Sequence, residues 1–125
     1  MHKDMGLTPS EERLAAIIWR EAPLTSPELA SLALGELDWK KSTTYTVLKK
    51  LCEKGVFRNE YAKISVVLTR DELISLQSRR YVEDTFGGSL PKFITSFIDG
   101  KKLTSEQADE LIRLIKDHKG GEGNG

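Results

Sequence analysis

This chain has one cysteine, four prolines, two histidines and few aromatics in 125 residues, and each scarcity closes off a class of protein. The lone Cys52 excludes an intrachain disulfide and fits a reducing compartment. No Cys/His cluster has metal-ligand spacing, so neither a metal nor another cofactor is expected. His2 and His118 sit near opposite ends, away from any nucleophile. With no paired acids and no glycine-rich phosphate loop either, the sequence does not read as an enzyme. No apolar run approaches the roughly 18–20 residues of a membrane span, and residues 1–6 lack an apolar signal core, so a cytoplasmic protein is expected. Charge of one sign is also lacking: nineteen basic and nineteen acidic residues cancel.

The cancellation is uneven. Between Trp39 and Arg58 the cations Lys40, Lys41, Lys49, Lys50, Lys54 and Arg58 face only Glu53, which marks a local site for a polyanion. Within this stretch Thr44, Val47, Leu48 and Leu51 recur at three- and four-residue intervals. The period predicts a helix over about 40–54 with one apolar side, stopped by Gly55. The other side carries Ser42, Thr43, Thr46, Lys49 and Lys50, short hydroxyls and long cations suited to a groove walled by phosphate.

Capping signals place the flanking elements. Thr8, Pro9 and Glu11 open a first helix to about Glu21, with Leu14, Ile17 and Ile18 inward and Trp19 half covered. Pro23 ends it before a short extended Leu24-Thr25. Ser26-Pro27 repeats the cap for a second helix bearing Leu29, Leu32 and Ala33, broken by Gly35. After Gly55 the period changes: Val56-Phe57 and Ile64 to Leu68 are hairpin strands joined through residues 59–63. Three helices followed by a hairpin is the order of a winged helix-turn-helix, in which the third helix enters the major groove and the hairpin touches flanking backbone. The fold class expected is mainly α with a small β-hairpin.

Thr69 to Glu72 caps a further helix to about Phe86, closed by Gly87-Gly88. Phe93, Ile94, Phe97 and Ile98 then lie on a short apolar helix, and Thr104 caps a last one bearing Leu111, Ile112, Leu114 and Ile115. Fewer than fifty residues cannot easily hold a core of their own, so these eight apolar side chains are expected to be covered by a second copy in a twofold homodimer. The expected division is 1–70 for a winged helix-turn-helix DNA-binding domain, 71–119 for a helical dimerisation region and 120–125 for a flexible tail.

Leu7-Thr8-Pro9-Ser10-Glu11, Ile18-Trp19, Trp39 followed by Thr43, Thr46, Leu48 and Leu51, Lys54-Gly55, and the pattern from Ser89-Leu90 to Leu114 together resemble the penicillinase-repressor family. The resemblance covers nearly the whole chain. It implies a dimeric winged-helix repressor that binds a palindromic double-stranded operator through the third helix, with Thr43, Thr46 and Lys50 at operator-contacting positions. It also implies a partner that ends repression; in antibiotic-responsive members this is a protease-dependent signal that cuts an Asn-Phe bond in the penultimate helix. The matching pair here is Ser96-Phe97. Copper-responsive members carry a C-terminal cysteine cluster, and this chain, ending in Lys119-Gly120-Gly121-Glu122-Gly123-Asn124-Gly125, has none.

The candidate DNA contacts are therefore Lys41, Ser42, Thr43, Tyr45, Thr46, Lys49 and Lys50, with Arg58 and Lys63 on the hairpin. Tyr45 fits either a backbone contact or packing beside the first helix, and Cys52 reads as a small hydrophobe in the core. An alternative from another class uses the same basic face to dock an acidic protein without any operator.

Overall fold

The computed structural model of the chain describes residues 6–120; His2 and the glycine-rich end beyond Gly120 lie outside the described residues. Its first helix, α1 (Pro9–Glu21), begins where the sequence signals converge. The Thr8 hydroxyl accepts from the Glu11 amide at 3.2 Å, and the Thr8 amide donates to Glu11 Oε1 at 2.9 Å. Two of the amides that a helix start leaves unpaired are thereby satisfied.

Strand β1 (Leu24–Thr25) leads directly into α2 (Ser26–Leu37). The cap of α2 is Thr25 rather than Ser26, reciprocally bonded with Glu28. Nor does Gly35 break this helix. It lies in open space on the exposed side and the helix runs on to Leu37, where Asp38 at φ 58° supplies the left-handed turn that ends it. A glycine inside a helix costs about 1 kcal/mol, less than the packing around Leu29 and Ala33 returns.

The third helix, α3 (Lys41–Glu53), packs through the four residues its period singled out, Thr44, Val47, Leu48 and Leu51. Gly55, at φ 82°, turns the chain into β2 (Phe57–Glu60) and β3 (Lys63–Val66). The sheet has three strands rather than two, in the order β1-β3-β2, because Leu24 and Thr25 pair antiparallel with Ile64 and Lys63. The hairpin register sets Phe57 opposite Val66 and Glu60 opposite Lys63. Val67 and Leu68 leave the strand and both donate backbone bonds to the carbonyl of Val56.

One core joins these pieces. Leu14, Ile17 and Ile18 meet Leu24, Leu29, Ala33, Leu48, Leu51, Val56, Phe57 and Ile64, none more than 6% exposed. Burial of each large member contributes about 1.5–3 kcal/mol. Trp19 is half-buried at its edge, 5.4 Å from Phe57 in an edge-to-face pair, and donates its indole N–H to the Leu68 carbonyl at 2.9 Å.

The fourth helix, α4 (Arg70–Phe86), starts at the expected Thr69–Glu72 box and drops Leu73 into this same core. Packing groups the chain into two units that divide at Tyr81/Val82, inside α4. The second unit holds the end of α4, then α5 (Leu90–Gly100) and α6 (Ser105–Asp117). Phe93 lies between Phe86 and Phe97 at centroid distances of 5.6 and 6.5 Å, but no residue of α5 or α6 is fully buried. Among the described residues no helix is long and apolar enough to cross a membrane.

Candidate nucleic-acid interface

With one side of α3 held by the core, its opposite side is fixed in space. Lys41, Ser42, Thr43, Thr46, Lys49 and Lys50 are all exposed there, and no carboxylate interrupts them. The start of the helix adds to this. Thr8, Thr25, Ser89 and Thr104 cap α1, α2, α5 and α6 with side-chain oxygens, whereas Lys40, the N-cap of α3, makes no side-chain cap bond, and no acid occupies the first turn. The first amides of a helix have no acceptor within it. At α3 they point outward beside Lys40 and Lys41, an arrangement that favours an anionic oxygen.

Local bonding determines what each hydroxyl can offer. Thr46 donates its Oγ1 proton to the Ser42 carbonyl at 2.9 Å, so what it turns outward is a methyl group and an acceptor lone pair. Those suit a thymine methyl or the amino group of adenine or cytosine in a major groove. Thr44 makes the same kind of bond to Lys40 at 3.3 Å but is buried and reads nothing outside. Tyr45 is half-buried, with Lys41 Nζ 5.8 Å from its ring centroid, an arrangement that holds the Lys41 stem near the helix start.

One cation of the predicted stripe is not part of it. Lys54 turns back into the protein, where Nζ donates to Glu11 Oε1 at 2.7 Å and to the Gly6 carbonyl at 2.8 Å. Burial pushes the Glu11 carboxyl up, but the hydrogen bond and charge of Lys54 and the bonds from Thr8 outweigh it and hold the group below the usual carboxylate range. Lys54 ties α1 to the end of α3. Cys52 is half-buried, and burial together with the neighbouring Glu53 pushes its thiol up, away from the reactive thiolate.

On the hairpin, strand alternation turns Phe57 and Ile64 into the core and leaves Arg58, Glu60, Lys63 and Ser65 on the outer face. Arg58 and Lys63 therefore share a face, with Glu60 directly across from Lys63. The turn between them is Tyr61-Ala62, and Tyr61 is completely exposed. Sequence reasoning treated Tyr61 only as a connector; the signal that could have singled it out is a bulky aromatic where a tight hairpin turn favours Asn or Gly.

In the second unit, Phe93, Ile94, Ile98 and Leu111 are half-buried, while Phe97, Ile112, Leu114 and Ile115 are exposed. Leu90, not among the predicted contacts, joins the exposed set. Ser96 and Phe97 lie in mid-α5, both exposed. Among the described residues no group of three or more His, Cys, Asp or Glu could hold a metal ion.

Three packed helices, a hairpin wing and an exposed, uncapped third helix define a winged helix-turn-helix DNA-binding protein. The penicillinase repressor family matches residues 7–117, and the chain belongs to that family. It is 21% identical to the penicillinase repressor of Bacillus licheniformis over 123 residues, 95% of this chain and 96% of that protein. The family is one of DNA-binding transcriptional repressors rather than enzymes.

Proposed function

We propose that this chain represses transcription as a homodimer that lays the exposed side of α3 in the major groove of each half of a palindromic operator. The observation that carries the proposal is the two-sidedness of α3: Thr44, Val47, Leu48 and Leu51 anchor it while Lys41, Ser42, Thr43, Thr46, Lys49 and Lys50 are exposed to solvent. Thr43 and Thr46 contact base edges, with Tyr45 beside them at the helix edge. Lys41, Ser42, Lys49 and Lys50 hold phosphates, and Arg58 and Lys63 hold the backbone flanking each half-site.

Dimerisation rests on the second unit. Leu90, Phe97, Ile112, Leu114 and Ile115 are each between 51% and 57% exposed. Covering half of such a side chain gains about 1 kcal/mol, and twofold symmetry doubles the set to about 10 kcal/mol, against association costs of about 4–15 kcal/mol. The half-buried Phe93, Ile94, Ile98 and Leu111 underlie and extend this surface. Separating the pair weakens the operator complex, because each subunit then binds its half-site alone. Ser96-Phe97 sits where cleavage by an inducing partner, such as a sensor protease, has that effect.

Selection of duplexes from a random pool by the full chain tests the proposal. Two inverted half-sites should emerge, bound with an affinity that falls steeply with salt. Retention that is weak and indifferent to sequence would instead favour the module that docks an acidic protein.

A further inference from the structure

We propose that Tyr61 is a specificity-determining residue, whose ring enters the minor groove beside each half-site and makes binding depend on base pairs outside the reach of α3. This rests on the operator-binding reading above.

The turn that carries Tyr61 is strained. Tyr61 has φ 52° and Ala62 φ 64°, the left-handed pair of a two-residue hairpin turn in which Asn-Gly is favoured. A side chain with a Cβ is disfavoured there, a bulky aromatic most of all. The fold gains no packing in return, since Tyr61 is as exposed as an isolated residue. Strain held without internal benefit points to a role outside the chain.

The backbone of the turn is nonetheless held in place. The Ala62 carbonyl accepts the Ser26 amide at 2.8 Å, and β1 pairs with β3 through Leu24↔Ile64 and Thr25↔Lys63. Ser26 is the first residue of α2, so the tip of the wing is tied to the frame that carries α3. With the turn fixed, only the two side-chain torsions of Tyr61 remain to be ordered on binding, a small entropy cost for so large a contact surface.

Its neighbours select the partner. Arg58 and Lys63 stand on the outer face of the hairpin, suited to phosphates on either side, with Glu60 opposite Lys63 offsetting part of that charge. Sugar edges wall the minor groove, and its floor presents the N3 of adenine and the O2 of thymine as acceptors for the tyrosine hydroxyl. Groove width varies with sequence, so a ring placed there reads flanking shape.

The test compares the full-length chain with Tyr61→Asn and Tyr61→Phe on duplexes selected by the wild-type chain, with the flanks randomised again. Asparagine tolerates the left-handed turn, so Tyr61→Asn should unfold at the same temperature as wild type or higher. Its affinity should nevertheless fall by on the order of tenfold, with flanking preference lost and half-site preference kept. Tyr61→Phe should keep the groove-width preference and lose discrimination carried by the hydroxyl. Equal affinity and unchanged flanking preference for Tyr61→Asn would overturn the proposal while leaving operator binding intact. If the wild-type chain enriches no duplex, both readings fall.

Discussion

Lys49, Lys50 and Lys54 lie within six residues of one another, yet replacing them should produce two different phenotypes. Lys49→Met and Lys50→Met keep the aliphatic stem and remove a charge from the exposed side of α3. Neutralising one phosphate-bound lysine lowers the logarithmic salt slope by about 0.9, so a twofold complex should show a slope smaller by about 1.8 per substitution. The thermal midpoint should barely move, because surface changes of this kind stay within about 0.5 kcal/mol. Lys54→Met should do the reverse. Its ammonium bonds to Glu11 at 2.7 Å with only 21% of the Lys54 and 4% of the Glu11 side chain exposed. Its removal strands a carboxylate that keeps only the Thr8 bonds, at a cost of about 2 kcal/mol, between an exposed pair and a fully buried one. For a chain of this size that lowers the midpoint by about 8 °C, with the salt slope unchanged. Fluorescence anisotropy across a salt series, paired with thermal melts, measures both quantities. A reduced slope for Lys54→Met, or a large drop in midpoint for Lys50→Met, would refute the division between structural and DNA-facing lysines.

Other outcomes follow from the same geometry. Because the folded Glu11 carboxyl lies below its unfolded value near 4.3, its stabilisation is present above that pH and lost as pH falls through the lower folded value. Denaturant melts of wild type and Glu11→Gln should therefore differ at pH 7 by a gap that narrows as the pH is taken down below the unfolded value; a gap that stays constant on acidification would contradict the pairing. Leu51→Ala empties a fully buried position on the anchoring side of α3 and should cost about 2–5 kcal/mol in urea unfolding. Phe97→Asp places a charge on the exposed side of α5 and should yield a folded monomer with weakened operator affinity. Sedimentation showing an intact dimer of that variant would dismiss α5 as an interface.

Periodicity and caps made much of the architecture legible. The apolar spacing on α3 named its four buried residues, and the Thr-x-x-Glu signals located α1 and α4 because those bonds are local. Features that depend on distant partners were not legible. Strand β1 is two residues long and becomes a strand only through Ile64 and Lys63. Gly35 looked like a break because its cost is local, whereas the packing that overrides it comes from elsewhere. Lys54 looked like part of a basic stripe until Glu11, far away in sequence, claimed it. Of the candidate site, the residues on α3 could be read from helical phase alone. Tyr61 could not, because its significance lies in backbone angles and complete exposure.

Hydroxyl-radical footprinting of the wild-type chain on its selected duplex probes the central claim most directly, namely that the lysine- and threonine-bearing side of α3 enters DNA in paired copies. Two equivalent protected tracts are expected, with centres about 10 base pairs, or a multiple, apart, both abolished by Thr46→Ala combined with Lys50→Ala. A single unrepeated tract, or symmetric protection that survives the double substitution, would contradict it.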